Sequence, residues 1–250
     1  MCSCGSWDQS TDYGDGSKLK TIKVPFRGIL KQPDRSIRSI LRGFLTMGPF
    51  TMITYWLHGV SFFLCGIAAL TETPSPWLLR VALLSAECAA PTSLLISAVV
   101  KYVLWPQALA QGSSNTEIFK DPQGLLKHNG TVVMWLLELG LLGGLPIEWS
   151  HIAVAPLWGI AYVYFAWFMA DKWSKPSDGP QFIYPFFDTT LGVTTSIALV
   201  ALLLVLMTFY AVLAFAEQSL QAYEWEAIGS LGTNVLFMIA TVLLVCRFRD

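Results

Sequence analysis

The sequence predicts an all-α, polytopic integral membrane protein with six transmembrane helices and both termini cytosolic. Six apolar runs, at about 49–70, 77–105, 130–147, 151–170, 189–216 and 227–246, occupy most of the 250 residues. Each has roughly the 17–25 residues a helix needs to cross a hydrocarbon core, or somewhat more. Only helices and closed barrels satisfy every backbone polar group in lipid, and these runs lack the alternation of barrel strands. The positive charges set the orientation. Lys18, Lys20, Lys23, Arg27, Lys31, Arg35, Arg38 and Arg42 precede the first run, Lys120 and Lys127 lie between the second and third, and Lys101 sits near the end of the second. Lys172 and Lys175 follow the fourth run, and Arg247 and Arg249 follow the sixth. The alternate connections carry no Lys or Arg, and only Arg80 lies near that second face. By the positive-inside rule both ends face the cytosol, which an even number of spans requires.

Composition agrees. The chain is 54% hydrophobic and 13% charged, with mean hydropathy +0.54, and it leaves no room for a separate soluble domain. The expected partners are the bilayer and a lipid; a net charge of −1 gives no reason to expect nucleic acid. Cys65, Cys88 and Cys246 fall in spans and Cys2 and Cys4 in the cytosolic tail, which is no disulfide framework. The first 20 residues have no apolar core for a cleavable signal, so span one is expected to act as the signal anchor.

Taken in order, residues 1–33 form a basic tail, expected to be disordered over its Ser-, Gly- and Asp-rich start. In residues 34–48, Ile37, Ile40, Leu41, Phe44 and Leu45 recur at helical spacing opposite Arg35, Arg38 and Arg42, with Asp34 as N-cap. This predicts an amphipathic helix on the inner leaflet. The bundle occupies 49–246. Residues 112–115 mark a turn in the loop between spans two and three. Leu145-Pro146-Ile147-Glu148-Trp149 joins spans three and four as a tight hairpin, and Trp173, Phe182 and Tyr184 fit an interfacial belt before span five. Residues 247–250 form a short cytosolic tail.

The polar residues within the membrane carry the information about chemistry. His58, His128 and His151 are all the histidines, too few for the di-iron chemistry of membrane desaturases. No nucleophile elbow, Walker loop or dinucleotide fingerprint is present. Glu87 and Glu138 lie mid-way along spans two and three without a basic partner at the same depth, positions that are costly in lipid and often functional. Arg80 and Lys101 are expected to snorkel to the two interfaces. The remaining candidate is a hydroxyl–imidazole pair. Thr54 sits about 7 Å into span one at 1.5 Å per residue, and His128 stands just before span three on the same side. A neutral imidazole can take the proton of a hydroxyl that is otherwise a poor nucleophile. His58, spaced i, i+4 from Thr54, competes for the role of base. The first turn of span three, at Asn129 and Gly130, is expected to offer backbone N–H groups to an oxyanion.

At these positions the sequence resembles the androgen-induced and androgen-dependent multipass membrane proteins, intramembrane threonine hydrolases acting on fatty acid esters of hydroxy fatty acids. The residues that carry the resemblance are Ile53-Thr54-Tyr55-Trp56 through Phe62-Phe63 and Gly66, then Pro91, then His128 with Glu138 ten residues on, then Tyr184-Pro185-Phe186-Phe187-Asp188. It implies Thr54 as nucleophile and His128 rather than His58 as base, no metal or cofactor, and an endoplasmic-reticulum or plasma-membrane location. Phe62, Phe63, Trp135, Trp158 and Tyr162 are then expected to line an acyl pocket, with Glu138 orienting partners on span three. The chain departs from the family in having Asn129-Gly130 after the His, a basic tail in place of an apolar N-terminal span, and a sixth span. The rival expectation is a transporter or a lipid-binding regulatory scaffold whose polar path is marked by Glu87 and Glu138.

Overall fold

Where the sequence is apolar the chain is helical. The computed structural model describes residues 9–12, 38–41, 47–111, 116–142, 145–169, 172, 184–187, 189, 192–222 and 227–247. The expectations for most of the tail, for the 112–115 turn and for Trp173 and Phe182 lie outside these residues. Four helical stretches are long and apolar enough to cross a membrane: Phe50–Leu70, Pro76–Ala110, Trp149–Phe168 and Val193–Ser219.

Helix α1 spans Phe50–Leu70. Helix α2, Pro76–Val99, starts where the sequence supplies a stop and a cap: Ser75 Oγ accepts the Leu78 N–H at 3.2 Å, and Pro76 stands at the first helical position. It continues through a π-helical turn, Val100–Leu104, into α3, Trp105–Gln111, so the second apolar run is longer than the sequence indicates. After α4, Glu117–Lys120, Asp121 caps α5, Pro122–Leu125, by accepting the Gly124 N–H at 2.9 Å.

The third run differs most from expectation. Helix α6 is only Thr131–Leu137, set between π-helical turns at Leu126–Gly130 and Glu138–Leu142. Beyond it Leu145–Glu148 is non-helical, and a 3-10 turn, Trp149–His151, leads into α7, Val154–Phe168. The last long helices are α8, Val193–Ala222, and α9, Ala227–Val245.

The amphipathic helix expected over residues 34–48 is not seen in its described part. Arg38–Leu41 is extended and pairs antiparallel with Gln9–Asp12, Arg38 opposite Asp12 and Leu41 opposite Gln9. The four residues Arg38-Ser39-Ile40-Leu41 are too few to fix either period.

The chain divides into two compact units: Met1–Ile53 with Gly159–Leu202, and Thr54–Trp158 with Leu203–Asp250. The core of the first is aromatic: Tyr162, Ala166, Phe186 and Phe187 are buried, with Phe50, Trp167 and Tyr184 packed on them. Tyr162 donates to the Gly48 carbonyl at 3.0 Å and Trp167 Nε1 to the Phe187 carbonyl at 2.9 Å. Tyr184 stacks on Phe186 at 5.1 Å, so it packs inward rather than joining an interfacial belt.

The second unit is organised around α2. Of its apolar window 67% is buried, against 22% in each of the other three long stretches. Ala82, Ala86, Ala89, Ala90, Ser93 and Ser97 are all buried and follow one another at helical spacing, the small-residue stripe that lets helices approach closely in lipid. Helices α6 and α9 pack directly on α2 and on each other. The approach is close at Gly140, where a Cβ would meet Met238 Sδ of α9 at 2.8 Å and make that flexible side chain move. The outward faces carry large apolar side chains such as Phe63, Leu70, Leu142 and Leu243. In water such a surface is costly; against lipid chains it is matched.

Candidate functional site

Thr54 and His58 occupy one face of α1, one turn apart. Thr54 is fully buried, and its Oγ1 has no hydrogen-bond partner. That is unusual for a helical threonine. Thr71, Thr92 and Thr208 all return their hydroxyls to the carbonyl four residues back, at 2.7 to 2.9 Å, whereas the Thr54 hydroxyl is uncommitted. His58, also buried, donates from Nδ1 to the Thr54 carbonyl. This fixes the tautomer and leaves Nε2 as a bare acceptor, buried and unpartnered. The ring lies beside Trp135 of α6, 6.1 Å between centroids, and Phe62 stacks on the same indole at 4.6 Å.

His128 lies in the π-helical turn before α6, with Nδ1 buried and unpartnered. Burial, with the neighbouring Lys127 charge, lowers its pKa to about 4, while Asp121 opposes the shift. The imidazole is therefore neutral at pH 7 and in the form a base requires. Thr54 Oγ1 makes no hydrogen bond to His128 or to any other group among the described residues. His58 and Phe62 face Trp135, and Cys65, further along α1, is within electrostatic reach of Glu138, further along the α6 run.

A donor–acceptor network holds the turn that carries His128. The Ser97 hydroxyl of α2 donates to the His128 carbonyl and lies 3.1 Å from Asn129 Oδ1, and Cys246 Sγ lies 3.6 Å from that hydroxyl. Asn129 Nδ2 donates to the Arg247 carbonyl at 2.6 Å. Lys101 Nζ caps the last carbonyls of α9, at 2.6 Å to Leu243 and 2.9 Å to Leu244, and Tyr102 also donates to Leu244. Lys101 is thus committed to a helix end rather than snorkelling freely.

Two expected site residues are corrected. Helix initiation lies at Asp121-Pro122, so Asn129 and Gly130 are inside the helical run and their N–H groups are not those of a first turn. Their expected oxyanion role loses its basis; Asn129 instead bonds through its side chain. Of the residues expected to line an acyl pocket, Phe62 stacks on Trp135, Phe63 is 66% exposed, and Tyr162 is buried in the aromatic core of the first unit. Glu138 opens the second π-helical turn and is half-buried.

A second buried cluster was not legible in the sequence. Glu87, fully buried, accepts from the Glu148 N–H at 3.0 Å, from Tyr210 at 2.9 Å and from His151 Nδ1 at 2.9 Å. Tyr210 lies 2.8 Å from the Glu148 carbonyl, and Glu217 accepts the Ile147 N–H at 2.8 Å. Glu87 therefore does have an imidazole partner. The signal was hidden because His151 is 64 residues away and the 145–148 segment reads as a surface hairpin.

A predominantly helical architecture with four apolar helices long enough to span a bilayer defines the class: a membrane-embedded helical protein. Compared with known proteins, the chain matches no family model, no curated protein and no solved structure.

Proposed function

We propose that the protein is an intramembrane lipid ester hydrolase of six spans with both termini cytosolic. The α6 run and α9 supply the two spans beyond the four long ones, and the basic connections supply the orientation. Thr54 Oγ1 attacks the ester carbonyl while the His128 imidazole takes its proton. The tetrahedral intermediate collapses with that proton passing to the departing alkoxide, leaving an acyl-threonine and a free alcohol. Water then attacks the acyl carbon, giving its proton to His128, which returns it to Thr54 as the carboxylic acid leaves. The substrate class implied by the resemblance is fatty acid esters of hydroxy fatty acids, in the endoplasmic reticulum or plasma membrane. No metal or cofactor enters this chemistry.

The observation that carries the reading is the uncommitted, fully buried Thr54 hydroxyl; the reading assigns the neutral His128 imidazole to it as base. The transporter or scaffold reading rests on Glu87 and Glu138. It is weakened by the number of hydrogen bonds that already hold Glu87 in place.

The test is labelling by a fluorophosphonate probe in membranes. Thr54→Ala and His128→Ala should abolish labelling at normal expression, and His58→Ala should retain it. Labelling that survives in Thr54→Ala overturns the mechanism. Loss in His58→Ala with retention in His128→Ala transfers the base to His58.

A further inference from the structure

Away from the Thr54 hydroxyl, a row of rings leads from His128 to Trp105, the first residue of α3: His128 to Phe119 at 5.9 Å, and Phe119 to Trp105 at 6.2 Å between centroids. Trp105 is 4% exposed, and its indole N–H has no acceptor. The Arg247 guanidinium lies 4.1 Å over the same ring, and its Nε–H is also buried and unpartnered. Lys120 Nζ stands 5.7 Å from the ring centroid. Indole and guanidinium nitrogens can only donate, and a buried donor without an acceptor is costly. Here two such donors belong to side chains in contact, and a further cation flanks them. Asp121, the carboxylate acting on Lys127 and His128, already accepts the Gly124 N–H, and among the described residues Arg247 forms no ion pair.

We propose that Trp105, Arg247 and Lys120 form a binding site for the anionic head group of a membrane lipid, a fatty-acid carboxylate or a lipid phosphate. Its oxygens accept from the Trp105 indole N–H and the Arg247 guanidinium, whose stacking on the ring pre-orients it for an oxyanion. A lipid is the fitting source because Trp105 lies within the long apolar stretch Pro76–Ala110, which is long enough to cross a membrane, and Arg247 follows the end of apolar α9. The outward face of the same run, Tyr102, Val103 and Leu109, is exposed and largely apolar, suited to lie along an acyl chain. Head-group binding needs neither Thr54 nor hydrolysis. Only the extension that this anchor holds the charged end of an ester substrate rests on the hydrolase reading.

The experiment uses full-length Thr54→Ala protein in phosphatidylcholine nanodiscs and a photoreactive diazirine fatty acid as probe, with palmitate, methyl palmitate and phosphatidate as competitors. Saturable crosslinking should be competed by palmitate or by phosphatidate, whichever wins naming the source, and not by the uncharged methyl ester. Trp105→Phe keeps the ring and removes the donor, and Arg247→Gln removes the charge; each should weaken binding about tenfold. Equal competition by methyl palmitate, or wild-type binding in both variants, overturns the site. If Arg247→Gln fails to assemble, Trp105→Phe carries the test. Because the nucleophile is already removed, failure here is separate from failure of the hydrolase reading, which probe labelling of the wild-type protein decides.

Discussion

A hydroxyl inside a helix has one easy partner, the carbonyl a turn behind, and Thr54 does not take it although three other threonines of the chain do. An unmade bond at a fully buried oxygen costs about 1–3 kcal/mol, so Thr54→Val should leave stability unchanged or raise it slightly. Thermal unfolding in detergent checks this, and a clear loss would show the hydroxyl to be structural. His128 makes a second prediction at this scale. A base must be unprotonated, and a pKa lowered from 6.5 to about 4 keeps it so well below neutrality. The pH profile of kcat/KM should therefore stay flat from pH 8 down to about 5 and fall as the pH drops through about 4. Stability follows the same sign. The folded imidazole binds its proton less readily than the unfolded one, so stability is full above pH 6.5 and declines as the pH falls from there toward 4. An activity limb near pH 6.5 would assign the base to a group in a wetter setting.

At the scale of elements, the α6 run shows what sequence periodicity conveys and what it does not. Its apolar stretch was readable from residue types, but its start was expected near Asn129-Gly130 rather than at Asp121-Pro122, and the two π-helical turns were missed because α- and π-helical periods cannot be separated over five residues. Each such turn leaves a backbone carbonyl to a side chain from another helix: Ser97 takes that of His128, and Asn234 takes that of Gly140 at 2.7 Å. The last helix is thus built into the candidate site rather than appended to it, since Asn129, Ser97 and Lys101 each reach its C-terminal end. Ser97→Ala and Asn129→Leu should each cost about 1–2 kcal/mol and slow fluorophosphonate labelling without changing the Thr54 requirement. Ser97→Thr, which keeps the donor, should restore the rate. Unchanged labelling kinetics in both variants would separate the network from the positioning of His128.

For the whole molecule, membrane class and the four long helices were legible because lipid demands long apolar runs, and Thr54 and His128 stood out as candidates because few polar residues interrupt those runs. The cluster at Glu87 was not, because it is assembled from α2, the 145–151 segment and α8, and no spacing rule links residues 87, 151 and 210. Its physical role can be read from the bonds. Non-helical backbone is tolerated in a membrane protein only where its polar groups are satisfied; here Glu87 and Tyr210 serve Glu148 and Glu217 serves Ile147. This leads to a graded prediction. In Glu87→Gln the amide oxygen can keep Glu148 and Tyr210, and His151 can change tautomer to accept from the new amide, so the cost should be about 1–2 kcal/mol. Glu87→Leu takes the acceptor from all three donors at once and should cost about 3–5 kcal/mol, at about 1–3 kcal/mol for each buried unpaired donor and less for the part-exposed His151. Tyr210→Phe should fall near the lower value. Thermal melts of the three variants in detergent measure the grading, and probe labelling of the folded fraction separates the two functional classes. A hydrolase keeps its labelling per folded molecule in Glu87→Gln. If Glu87→Gln folds as well as wild type yet loses all function, the carboxylate is part of a working polar path, and the transporter reading displaces the hydrolase.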